Sequence, residues 1–159
     1  MARRRGRSRN PYGQPDALSR AARAAGYTAR SVFKLEQIDQ RVGLLRQGQR
    51  VLDLGAAPGS WSAYAASRIG KAGRLVAVDL KPLKQVLPDT CQVITGDAFD
   101  EPLLAGGPVA ELAPYDVVLS DMAPNTTGDK GTDKIRSHQL FMRALDMASA
   151  VLRPGGHFD

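Results

Sequence analysis

The sequence has one cysteine, Cys91, and two histidines, His138 and His157, among 159 residues. A lone cysteine excludes an internal disulfide and fits a reducing cytosol. With only two well-separated histidines beside it, no zinc-type ligand set can be assembled, so no metal site is expected. No stretch reaches the roughly 18 apolar residues of a membrane span, and no membrane partner is expected. The opening MARRRGRSRN is basic but has no apolar segment behind it, unlike a secretory signal. Internal repeats are absent. Acidic residues are also scarce, but only at one end. Residues 1–35 hold eight Arg and Lys34 against Asp16 alone, a local charge of +8 within a total of +6, so residues 36–159 carry −2. A strongly basic leader on a near-neutral body points to a polyanionic partner bound at one end.

Apolar residues make up 43% and charged residues 24%, the balance of a soluble globular domain. Residues 1–15 read as a basic disordered arm, broken by Pro11, Gly13 and Pro15, and 16–159 as a single domain. Helices are predicted over Asp16–Ala25, ended by Gly26, and over Ala29–Val42. From residue 51 the pattern alternates. Strands are predicted at VLDL (51–54), RLVAVDL (74–80), CQVITGD (91–97) and YDVVLSD (115–121), with helices at Ser60–Ile69, near 101–112 and at Lys134–Leu152. DKGTDK (129–134) reads as a solvated loop extension. Strands without polar alternation, separated by helices, predict a mostly parallel sheet with helices on both faces, a doubly wound α/β domain. The chain closes on VLRPGGHFD, where Pro154–Gly156 reads as a turn before a strand that opens at His157.

Open parallel sheets bind ligands beyond the carboxyl ends of their strands. Each predicted strand brings an acid there, Asp53, Asp79, Asp97 and Asp121, and together they predict an anionic rim. The first loop, DLGAAPGSW, has Gly55 and Gly59 but Ala57 and Pro58 where a dinucleotide loop wants glycine and free amides. A phosphate nest is therefore disfavoured, and a nicotinamide-dependent oxidoreductase with it. Asp53 suits an ammonium-bearing ligand. Asp79, 24 residues after Gly55, has the spacing of an acid that accepts from ribose hydroxyls. A nucleoside carrying an amino acid and no phosphate satisfies both, and S-adenosyl-L-methionine is such a molecule.

DLGAAPGSW, the acid ending the second strand, GDAFD and LSDMAPNTTG, in that order, resemble the FtsJ-type ribose 2′-O-methyltransferases, particularly the bacterial subgroup acting on large-subunit ribosomal RNA. ARSVFKLEQI, residues 29–38, is similar to that family's leading helix, and the resemblance runs from about Gly26 to Phe158. It implies a Rossmann-like class I methyltransferase fold, with cofactor contacts at Gly59, Trp61, Asp79, Asp97 and Asp121. It further implies an enzyme acting on ribosomal RNA or the large subunit; a cytoplasmic location is expected with the lone cysteine, and a monomer is the simplest expectation.

Methyl transfer to a ribose hydroxyl needs an aligned nucleophile and help in losing its proton. The family uses a Lys-Asp-Lys-Glu tetrad. Lys34 matches its first Lys and Asp121 its Asp, which makes these two the catalytic candidates; the second Lys and the Glu fall past Asp159. The last strands of the sheet are expected to be missing as well, leaving the fourth strand with an unpaired edge. Pro124 and Asn125 would shape the RNA pocket, and Arg20, Arg23, Arg30 and Lys34 would form its basic approach. A second reading is an RNA- or ribosome-binding module that keeps the fold with impaired catalysis. Retention of Asp79, Asp97 and GAAPG together argues for the enzyme.

Overall fold

The computed structural model describes residues 17–122 and 127–159. The basic arm with Arg3 to Arg9, and Pro124 and Asn125, lie outside the described residues. Two helices lead, α1 (Ala17–Ala24) and α2 (Val32–Val42). The alternating part follows as β1 (Arg50–Leu54), α3 (Ser60–Ile69), β2 (Arg74–Asp79), β3 (Cys91–Thr95), α4 (Glu101–Ala105), α5 (Gly107–Leu112), β4 (Tyr115–Ser120), α6 (Lys130–Val151) and β5 (Leu152–Phe158). The five strands form one parallel sheet in the order β3-β2-β1-β4-β5. This is the doubly wound arrangement that the alternation predicts.

The central strands β1, β2 and β4 run mostly apolar because both faces of the sheet are covered there. Val51, Leu75, Ala77, Val117 and Leu119 face a core shared with α2 and α3. Leu52, Leu54, Val76, Val78 and Val118 face a second core closed by Leu104, Val109 and Ala148. Each such buried side chain contributes about 1.5–3 kcal/mol of hydrophobic stabilisation. On the first face Asp39 is buried, and it accepts from the Leu45 amide (2.8 Å), the Tyr64 hydroxyl (2.9 Å) and Arg68 Nε (3.1 Å). One carboxylate thus ties the C-terminal half of α2 to α3 and to the chain entering β1.

Five expectations need correction. The predicted unpaired edge of β4 is paired with β5, Tyr115 opposite Leu152 and, after a register shift, Val117 and Val118 opposite His157 and Phe158. That strand begins at Leu152 and not at His157. Residues 153–156, including Pro154–Gly156, bulge out opposite Asp116 before His157 rejoins the ladder beside Val117. DKGTDK is not a loop extension, because α6 starts at Lys130. Asp129 caps it by accepting from the Gly131 amide (3.0 Å) and the Thr132 hydroxyl (2.9 Å). The helix expected near 101–112 is two short helices divided at Gly106, and α2 begins at Val32 after a turn over 29–31.

Candidate active site

The loop after β1 is shaped by its two glycines. Gly55 has φ +72°, and a Cβ there would lie 2.2 Å from Met122 Cγ; Gly59 has φ +111° at the N-cap of α3. The loop amides are already committed. Gly55 and Ala56 donate to the Val78 carbonyl (2.8 and 3.1 Å), Ala57 donates to Asp79 Oδ2 (2.9 Å), and Pro58 has no N–H. A pyrophosphate would find no donor among these four residues. The disfavoured phosphate nest is thus absent for a reason the sequence only half shows.

Beyond the strand ends lies a cavity of about 450 Å³, lined by Asp79, Asp97, Asp121, Phe99, Met122 and Leu140, among others. That volume is in the range of small-molecule sites. Asp79 is held at both oxygens, Oδ2 by Ala57 N–H and Oδ1 by Lys81 N–H (2.8 Å), which orients its remaining lone pairs as acceptors. Asp97 accepts from the Phe99 amide (2.8 Å), and the Phe99 ring is backed by the Arg143 guanidinium of α6 at 4.2 Å. Carboxylates for a diol and an amine, an aromatic wall and a loop whose Gly55, Ala56 and Ala57 amides are already bonded fit the chemistry of S-adenosyl-L-methionine. Phe99 and Leu140 are wall residues, and Arg143 backs one of them; sequence reasoning did not single out these roles, although Phe99 stands inside GDAFD.

At the rim, Lys34 Nζ of α2 lies 3.6 Å from Asp121 Oδ1 and 5.7 Å above the Trp61 ring. The structure therefore brings the two catalytic candidates together. Trp61 itself is buried, and its Nε1–H donates to the Ser31 carbonyl (2.9 Å). It lines a small cavity of about 20 Å³ shared with Asp53 and Asp121, and Gly59 lies behind the loop against Gln85. Asp159 continues the β4–β5 ladder at this edge, through Ser120 N–H to its carbonyl (2.6 Å) and its own N–H to Val118 (3.0 Å). Burial raises its carboxyl above the ordinary range, with Lys34 pulling it back and Asp121 pushing it further.

Asp53 is not part of the rim. It shares the Val51 face of β1, is 1% exposed, and accepts from the Ser62 hydroxyl at 2.6 Å. Burial pushes its carboxyl up to about 7; the Ser62 hydrogen bond opposes this, and the charges of Asp121 and Asp79 add to it. The anionic rim therefore has three members, Asp79, Asp97 and Asp121. Of the basic residues, Arg20 and Arg23 are exposed one turn apart on α1, and Arg30 is exposed in the turn before α2.

A doubly wound sheet with acids at three strand ends, opening on one cavity, is an arrangement that suits a class I S-adenosyl-L-methionine-dependent methyltransferase. Residues 27–159 match the FtsJ-like methyltransferase family, and the chain belongs to it. It is 60% identical over 150 residues to the Ribosomal RNA large subunit methyltransferase E of Sorangium cellulosum, covering 94% of this chain and 69% of that one. Its identity to the protein of the same name from Oleidesulfovibrio alaskensis is 49%, over 86% of this chain and 66% of that one. The chain thus spans about two thirds of the length of these relatives. A solved Plasmodium falciparum structure, described as a ribosomal RNA methyltransferase, superposes with a TM-score of 0.72 at 22% identity, over 83% of this chain and 76% of that one. At that identity the likeness shows the fold alone. No described helix is long and apolar enough to cross a membrane.

Proposed function

We propose that this chain binds S-adenosyl-L-methionine and methylates large-subunit ribosomal RNA at a ribose 2′-hydroxyl, with a uridine as the target. The observation that carries the reading is the Lys34–Asp121 pair standing at the mouth of a cavity whose other acids suit a nucleoside. The relatives' name supports the substrate. The cofactor, when bound, supplies an electrophilic methyl group on a sulfonium.

The chain's own residues bind and align the partners, and the proton released by the ribose hydroxyl passes to solvent water. Asp79 accepts from the cofactor's ribose hydroxyls and Asp97 from its adenine edge, against the Phe99 wall. Asp121 draws Lys34 to the rim, where the ammonium holds the target ribose and its phosphate in line with the methyl. Gly59 shapes the loop, and Trp61 places a ring face under Lys34. Arg20, Arg23 and Arg30 approach the RNA backbone as phosphate contacts. The partner is ribosomal RNA within the large subunit, met in the cytoplasm by a monomer.

The test measures S-adenosylhomocysteine binding by calorimetry together with transfer of a labelled methyl group to unmethylated large subunits. The expected product is a dinucleotide resistant to alkali, because a 2′-O-methyl group removes the hydroxyl that cleaves the chain. Lys34→Ala is expected to lower transfer with cofactor affinity kept. An alkali-sensitive product would refute ribose methylation, and lack of binding would refute the whole reading. Binding without transfer would favour the RNA-binding module.

A further inference from the structure

The irregular segment between β2 and β3 holds a side chain that neither the motifs nor the cavity account for. Gln85 Oε1 accepts from the Thr28 amide and its Nε2 donates to the Gly26 carbonyl, each at 3.0 Å. Its backbone N–H and that of Lys84 both donate to the Pro58 carbonyl, at 3.0 and 3.1 Å. Gly59 is packed so tightly on it that a Cβ there would lie 2.8 Å from Gln85 Cβ. One residue therefore grips two loops at once. One is the cofactor loop, and the other, 57 and 59 positions away in sequence, is the turn that joins α1 to α2.

That turn matters because it carries α1, whose one buried residue is Ala22 and whose Arg20 and Arg23 are exposed. The two bonds to the turn need a donor and an acceptor on the same side-chain tip, which a primary amide has and which Glu and Met lack. We propose that Gln85 is a positioning residue that locks the basic helix α1 to the cofactor loop, so that RNA held on α1 meets the cavity at a set distance. The inference rests on the function proposed above.

The test compares the wild-type chain with Gln85→Met, which keeps the length and loses both side-chain bonds, and with Gln85→Glu, which keeps the acceptor for Thr28. Amide hydrogen exchange over residues 17–31 is read without any ligand. Affinities are read for a fluorescein-labelled RNA hairpin across a salt series and for S-adenosylhomocysteine. In Gln85→Met, exchange over 17–31 is expected to rise about tenfold, the worth of two ordinary hydrogen bonds, with Gln85→Glu in between. RNA affinity is expected to fall about fivefold with an unchanged salt slope, because no phosphate-binding charge has been removed. Cofactor affinity stays within about twofold, since the backbone bonds to Pro58 remain. Unchanged exchange over 17–31, or RNA affinity equal to wild type, would overturn the proposal. Failure of S-adenosylhomocysteine to bind the wild-type chain would sink the function proposed above, and the ligand-free exchange comparison would still decide the role of Gln85.

Discussion

The two sides of the sheet are built differently. On one side α3 buries seven of its ten residues, and the buried Asp39 cross-links α2, α3 and the approach to β1. On the other side α6 is 22 residues long and buries only Ala144 and Ala148. Its Phe141 and Met142 are 53% and 41% exposed, although Phe141 does meet the Phe158 ring of β5 at 5.6 Å. The α3 side carries the polar locks and the elements that place Lys34, Trp61 and the cofactor loop. The α6 side lends the site a wall, through Leu140 and the Arg143 that backs Phe99. Precision at the site therefore comes from the closed side.

The most demanding test of that contrast is Asp53. Burial pushes its carboxyl up to about 7, well above the ordinary carboxylate range near 4. The folded state holds a proton that the unfolded state has released, so stability falls as pH rises from about 4 to 7 and then levels off. This component is at most about 4 kcal/mol. Asp53→Asn is expected to lack it, as seen in denaturant unfolding of both proteins across that range. Parallel pH curves for the two would mean that Asp53 is hydrated and the closed side is not dry.

Asp39→Ala comes next, since it strands a buried amide and a buried hydroxyl; a loss of about 3 kcal/mol is expected. Phe141→Ser on the other side is expected to cost about 1 kcal/mol or less. Equal losses would abolish the distinction between the two sides. At the cavity, Asp79→Ala is expected to weaken S-adenosylhomocysteine binding about 10- to 100-fold in calorimetry, the worth of charge-assisted hydrogen bonds. Leu140→Ala, from the α6 wall, is expected to weaken it by roughly threefold, within the ~1 kcal/mol of a partly buried apolar contact. The reverse ranking would move the cofactor's main support to α6. The smallest effect is sought at Arg20, Arg23 and Arg30. Replacing all three with Ala is expected to flatten the salt dependence of RNA binding by about 2 in log–log slope, with cofactor affinity unchanged. An unaltered slope would take RNA off this surface.

Much of this could be read along the chain. The strands β1, β2 and β4 fall within a residue of their apolar runs, because burial on both faces leaves few polar positions to blur them. Ser60–Ile69 is found as predicted, bracketed by Gly59 and Gly70. The start of α6 was missed because Gly131 and Thr132 look like loop residues, and only the Asp129 cap reveals the helix. The burial of Asp53 was half legible, since the two-residue period of a strand places it with Val51 on the α3 face. The partner of Trp61 was not legible, because the Ser31 carbonyl lies 30 positions away.

The sequence by itself determined the order of strands and helices, the turns at Gly55 and Gly59, and an acid at or near the end of each of the first four strands. Those features depend on backbone preferences and on neighbours a few positions apart. Only the tertiary structure decided which acid is dry and which three face the cavity, which loop amides are already spent, and what Gln85 holds. Burial and long-range hydrogen bonding are set by groups that folding brings together from 22 to 59 positions away.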